Sequence, residues 1–127
     1  MVPFGVNKSA GYVGMDICFC DRSLQRACNS EKGLVRRWGK HRARIVGKRL
    51  QQILAAPTLD VLTTLPGMDF HALKGKRAGQ FAVDAEYPFR LVFEANHNPV
   101  PTLERGNVAL ARITKIRVIE VTDYHGK

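Results

Sequence analysis

Four short strings place protonatable or phosphate-binding groups near expected strand ends: His71-Ala72-Leu73-Lys74-Gly75, Lys76-Arg77-Ala78-Gly79, Arg90 within Phe89-Arg90-Leu91, and Asp123-Tyr124-His125. These residue types suit metal-free cleavage of RNA. That reaction needs the 2′-hydroxyl deprotonated, the negative charge of the phosphorane stabilised, and the departing 5′-oxygen protonated. Histidine titrates near neutrality and serves as base or acid, so His71 and His125 form the candidate acid/base pair. Lys74 and Arg90 are candidate clamps for the scissile phosphate, the arginine with bidentate geometry. Lys76 and Arg77 add positive charge beside them. Tyr124 could stack on a base or orient a proton donor, and Asp123 could hold a neighbouring imidazole in one tautomer. Taken singly, each string also has a plain structural reading. His71 could be a hydrogen-bonded strand residue, Lys74 to Arg77 a polar turn, and Arg90 the outer face of an alternating strand. His125, two residues from the end, need take no part in the fold.

The elements that must position these groups follow from hydrophobic period and turn chemistry. Residues 1–14 (MVPFGVNKSAGYVG) read as a flexible extension, with Met15 a plausible alternative start. MDICFCD reads as a short strand. Asp21 is a candidate N-cap for a helix carrying Leu24, Ala27 and Cys28 on one side, and Ser30 caps a second through Leu34, Val35 and Trp38, ended by Gly39. From Arg42 to Ala55 the apolar positions Ile45, Val46, Leu50, Ile53 and Leu54 make one helical stripe, with Arg44, Lys48, Arg49, Gln51 and Gln52 on the remaining surface. Gly47 weakens that helix by roughly 1 kcal/mol and would permit close packing; Pro57 stops it. The expected unit is a basic, amphipathic helical hairpin. Thr58 to Gly67 is a connector with a turn of helix around Leu59 to Leu62. Phe70 to Leu73, Gln80 to Asp84, Phe89 to Ala95 and Ile113 to Thr122 then read as four strands. The middle two form an antiparallel hairpin around Glu86-Tyr87-Pro88. Asn96 to Val108 is an exposed loop, and the last strand, apolar on both sides, suits a central position. This order predicts an α+β fold, one domain over residues 15–127, with an N-terminal strand and a basic helical hairpin packed on one face of a mainly antiparallel sheet.

Charge is concentrated where the hairpin is expected. The chain carries 20 Lys/Arg against 11 Asp/Glu, a net charge of +9. Between Arg22 and Arg49 there are ten Lys/Arg and one acid, Glu31, so the remainder is neutral. A basic face of this kind suits a polyanion, because neutralised phosphates release condensed counterions, although an acidic protein would fit equally well. Arg36, Arg37, Lys40, Arg44, Lys48 and Arg49 are the candidate docking residues. Cys18, Cys20 and Cys28 form no CxxC pair and no His-linked pattern, so no structural zinc site is expected. A CxC pair in a strand puts both thiols on one face as small buried residues. Three thiols, no signal peptide and no apolar run of membrane-spanning length point to a cytoplasmic protein without membrane association.

Taken together, HALKGKRAGQFAVDAEYPFRLVFE and the later ITKIRVIEVTDYH resemble the HigB-type toxins of the RelE/ParE superfamily. The resemblance rests on H-x-L-K-G-x-R-x-G, an R-hydrophobic-x-F strand and a closing D-Y-H, in that order, and spans roughly Met15 to Gly126. The helical strings CNSEKGLVRRWG and RLQQILAA fit a subgroup of this layout. The resemblance implies a RelE-like fold and a hydrolase that inhibits translation: an endoribonuclease, or mRNA interferase, acting on messenger RNA in the ribosomal A site, metal-independent and without cofactor. It also implies a toxin–antitoxin system with a cognate antitoxin, usually of helix-turn-helix type, through which alone DNA would be contacted. Matching positions are His71, Lys74, Arg90, Asp123, Tyr124 and His125. The chain departs from the pattern in its N-terminal extension, in Lys76 where Asp is common, and in the long loop before the last strand.

Three other readings share parts of this evidence. A ParE-like gyrase inhibitor would share the fold but needs no paired protonatable groups. A non-catalytic nucleic-acid-binding module would depend on the basic helices and leave the His and Tyr residues dispensable. A degenerate toxin would persist only as a complex partner.

Overall fold

The computed structural model describes residues 14–123. The expected N-terminal extension, apart from Gly14, lies outside the described residues, as do Tyr124 and His125. Strand β1 (Asp16–Phe19) leads into helix α1 (Arg22–Cys28) and helix α2 (Glu31–Ala55). Both predicted caps form. Asp21 Oδ1 accepts from the Leu24 amide at 2.7 Å, and Ser30 Oγ from the Gly33 amide at 2.9 Å, satisfying donors that a helix start leaves unpaired. Gly33 allows α2 to leave α1 closely, since a Cβ there would lie 2.6 Å from the Ala27 carbonyl oxygen.

Helix α2 is broken at Gly39, whose φ of 82° is a left-handed value that glycine adopts without steric cost. The two arms fold back on each other there: a Cβ at Gly47 would lie 3.4 Å from Leu34 Cδ1. Thirteen residues of straight helix would hold these positions about 20 Å apart. The hairpin predicted from the Gly39 stop and the close approach predicted at Gly47 are therefore both present. Val46, Leu50 and Ile53 are buried along the predicted stripe. Arg49 is the exception: expected on the surface, it is buried at 6% exposure.

The sheet contains β2 (His71–Ala72), β3 (Gln80–Asp84), β4 (Arg90–Ala95) and β5 (Lys115–Thr122), in the order β1-β5-β4-β3-β2. Only β1 and β5 run parallel; the other pairs are antiparallel. The fold is thus α+β on a mixed, mainly antiparallel five-stranded sheet. Phe81, Val83, Leu91, Phe93, Ile116 and Val118 point to the core shared with Leu24, Leu34, Val46, Leu50 and Ile53 of the helices. Phe70, Phe81 and Phe93 cluster within it, with ring centroids 5.4 to 6.3 Å apart.

Three expected boundaries shift. β2 has only two residues, because Gly75 (φ 64°) turns the chain into a 3-10 turn, Gly75–Arg77. β5 starts at Lys115 because Leu110–Arg112 forms another 3-10 turn and the Ile113 carbonyl is taken by the Leu59 amide at 3.1 Å. The connector turn expected near Leu59 is the 3-10 helix Leu59–Thr64. β5 is central, between β1 and β4, but a bulge interrupts it: Val92 pairs with Glu120 and Phe93 with Val118, so Ile119 has no counterpart. The bulge keeps Val118 and Val121 on the core side and Arg117 and Glu120 on the other.

The cysteines differ from expectation. β1 ends at Phe19, so Cys20 lies in the turn toward the Asp21 cap and is exposed, while Cys18 is half-buried and accepts from Asn96 Nδ2. Cys28 is buried, and desolvation pushes its thiol up to about 12, which keeps it protonated and unreactive. Among the described residues no helix is long and apolar enough to cross a membrane.

Candidate active site

One end of the sheet gathers groups from four elements. Asp84 ends β3 opposite Arg90, which begins β4, and Arg90 lies opposite Thr122 near the end of β5. Asp123 follows Thr122 at once, so it too lies at the Arg90 end of the sheet. His71, on β2, pairs with Ala82, two residues before Asp84 on the same strand. The hairpin predicted from the Phe81/Val83 and Phe89/Leu91/Phe93 patterns sets this register, and the Glu86-Tyr87-Pro88 reversal brings Asp84 to Arg90.

Two arginines and two carboxylates form an alternating chain across this end. Arg49, from α2, reaches the Asp84 carboxylate at 3.3 Å, the Asp84 carbonyl at 2.9 Å and the Gly67 carbonyl at 2.7 Å. Its remaining terminal nitrogen donates to Gln52 Oε1 at 2.9 Å. The candidate docking role of Arg49 is therefore corrected: its guanidinium is turned inward and occupied by partners from the sheet end and its own helix. Arg90 lies 3.7 Å from Asp84 Oδ1 and 3.5 Å from Asp69 Oδ2, and donates to the Phe89 carbonyl at 3.2 Å. Arg90 is itself only 8% exposed, rather than displayed on an outer face. Its Nε is buried with no hydrogen-bond partner among the described residues. A buried donor in that state costs about 1–3 kcal/mol, so an oxyanion that reached it would be bound strongly.

Asp69 joins this chain to the histidine. Its side chain faces Arg90, and its carbonyl oxygen lies 2.9 Å from His71 Nδ1. A carbonyl can only accept, so Nδ1 is the donor in this contact and carries a proton. Asp69 itself has a left-handed φ of 51°, rare for a residue other than glycine and commonest at functional or turn positions.

The remaining candidates are placed differently. Lys74 and Lys76 are exposed on the turn joining β2 to β3, at the opposite end of that pair from Asp69 and Asp84. Arg77, on the same turn, reaches across the non-helical face of the sheet. It donates to Glu120 on β5 at 2.7 Å and to Gln80 at 3.0 Å, above the buried Ala82 and Val92. A phosphate bound by Arg77 would have to compete with Glu120. Arg36, Arg37, Lys40, Arg44 and Lys48 are exposed along the helical hairpin, with Arg37 donating to Ser23 Oγ at 3.1 Å.

Asp69, Asp84 and Tyr87 were not singled out from sequence. Asp84 carried a usable signal, since it and Arg90 flank a short hairpin turn and must face each other. Asp69 carried none, because its role depends on an irregular backbone between two elements. No protein-family model, curated protein or solved structure matches this chain.

Proposed function

We propose that this chain is the toxin of a type II toxin–antitoxin system, a HigB-like member of the RelE/ParE superfamily with a RelE-like fold. In this reading it is an endoribonuclease that cleaves messenger RNA on the ribosome. The observation that carries the proposal is the link through Asp69 of a histidine to an under-partnered buried arginine, at the end of the sheet where β5 reaches Thr122 and Asp123. His71, with its proton on Nδ1, has the tautomer a general base needs: Nε2 takes the 2′-hydroxyl proton as the 2′-oxygen attacks phosphorus. Arg90 stabilises the phosphorane oxygens. The bond from phosphorus to the 5′-oxygen breaks, leaving a 2′,3′-cyclic phosphate, and His125 gives its proton to the departing oxygen. Tyr124 and Asp123 orient the reacting groups. An inhibitor of gyrase has no use for this pairing of imidazole and arginine, which favours the nuclease over the ParE-like alternative.

In a bacterial host, induction of the wild-type chain is expected to arrest growth with cleaved messages, while His71→Ala and His125→Ala at equal expression lose both effects. Equal toxicity of all three would replace the nuclease by a gyrase-type or binding mechanism.

The five exposed hairpin cations supply docking, to ribosomal RNA when the toxin is active and to an acidic antitoxin segment when it is silenced. If all five meet phosphates, the logarithm of ribosome affinity should fall with the logarithm of salt concentration at a slope of roughly −3.5 to −4.5. Sedimentation binding assays across a salt series measure this directly, and a flat dependence would remove the docking role.

A further inference from the structure

We propose that Tyr87 is a base-stacking platform that holds the nucleotide next to the phosphate bound by Arg90. The inference rests on the reading of single-stranded RNA as the substrate and adds a subsite to it. Tyr87 is 78% exposed, the most exposed of the large hydrophobic residues among those described. Its ring centroid lies 5.8 Å from the Arg90 guanidinium carbon. The guanidinium lies over one face of the ring, so a base stacks on the other, outer face while an adjoining phosphate reaches Arg90.

The turn that carries Tyr87 is fixed from several sides. Ala85 donates to the Phe89 carbonyl at 3.1 Å, and Phe89 to the Glu86 carbonyl at 2.8 Å. The Glu86 carboxylate is held by Arg42 at 2.9 Å and His41 at 3.2 Å, both from α2. The Arg42 guanidinium in turn lies 3.7 Å from the Phe89 ring centroid. Glu86 has a φ of 84°, a strained value for a residue with a Cβ, which persists only where surrounding contacts impose it. These contacts spend a helix arginine and a strained residue on a turn whose most exposed feature is one aromatic ring. A ring held in this way loses little entropy on binding and stacks on any base, because every base has a π-face.

The test uses the full chain and a 2′-O-methyl hexaribonucleotide, which lacks the attacking hydroxyl and is not cleaved. Binding is followed by fluorescence anisotropy of a labelled end. Tyr87→Ala is expected to weaken binding about tenfold and Tyr87→Phe by less than twofold, since stacking needs the ring and not the hydroxyl. With a hexamer of abasic residues, wild type and Tyr87→Ala are expected to bind equally. Equal binding of the 2′-O-methyl hexamer by wild type and Tyr87→Ala overturns the proposal, as does a Tyr87→Ala deficit that persists with the abasic hexamer. Circular dichroism confirms that Tyr87→Ala is folded, and Tyr87→Phe gives an independent reading if it is not. Messages cleaved in cells without a Tyr87 effect on binding would sink the subsite alone. A Tyr87 effect on binding without message cleavage would sink the nuclease and leave the subsite standing.

Discussion

Replacing Arg49 with alanine is expected to cost about 3–5 kcal/mol of folding stability, a large share of what a domain of this size possesses. The cost arises from what the guanidinium leaves behind. Asp84 would keep a half-buried carboxylate facing only Arg90, at 3.7 Å, and the Gly67 carbonyl would lose a donor at 2.7 Å. Burial makes the loss severe, because water cannot replace the donor freely. Urea denaturation measures the effect as a lower midpoint with an unchanged slope. Among the basic residues of the helical hairpin, Arg36→Ala should lie within about 0.5 kcal/mol of wild type, as exposed substitutions commonly do. If Arg49→Ala also fell within 1 kcal/mol, its inward-facing contacts would be energetically idle and the Arg49–Asp84–Arg90 chain would hold nothing in place.

The second large effect concerns chemistry. Arg90→Lys keeps a cation between Asp69 and Asp84 but removes the planar fork and the buried Nε–H. A lysine ammonium is a point charge that cannot grip two phosphate oxygens in a fixed plane. Message cleavage is expected to fall on the order of 10²–10³-fold, the usual penalty for losing one preorganised donor to a developing oxyanion. Thermal unfolding should shift by only a few degrees, which separates the chemical role from a structural one. Cleavage within threefold of wild type would show that Arg90 merely neutralises the two carboxylates.

Much of this arrangement was legible in the sequence because it follows from short-range rules. Asp21 and Ser30 are good caps before apolar stripes, Gly39 and Pro57 stop helices, and Gly47 admits a neighbour; each depends on a few adjacent residues. The alternation of Phe81 and Val83, and of Phe89, Leu91 and Phe93, set the strand faces and the hairpin register that opposes Asp84 to Arg90. What could not be read depends on contacts between distant segments. Arg49 lies three residues after Val46 and four before Ile53, on the apolar face of the helix, yet its charge alone reads as a surface residue; it turns inward because Asp84 and two carbonyls wait at the end of the sheet. Arg90 alternates with core residues and so reads as an outer-face residue, but Asp69 and Tyr87 lie against it and it is buried. The bulge at Ile119 and the left-handed backbone of Asp69 and Glu86 have no period to betray them. Arg77 shows the same limit: its string matches the expected motif, while its partner, Glu120, lies 43 residues away.

The placement of the candidate groups was partly legible as well. His71, Arg90 and Asp123 were expected near strand ends, and pairing brings those ends together. Lys74 and Lys76 were expected beside them but lie at the far end of the β2–β3 pair, because a hairpin carries its turn away from its open ends. Under the proposed function their charge would meet RNA phosphates away from the one at Arg90.

The most direct test is primer extension on a defined message in a purified bacterial translation system, with wild-type, His71→Ala and His125→Ala proteins at equal concentration. Discrete cleavage within the codon occupying the ribosomal A site is predicted for the wild type, dependent on translation and absent from both variants. Intact message with the active wild-type protein, or cleavage that survives the loss of His71, would contradict a nuclease built on this histidine and Arg90.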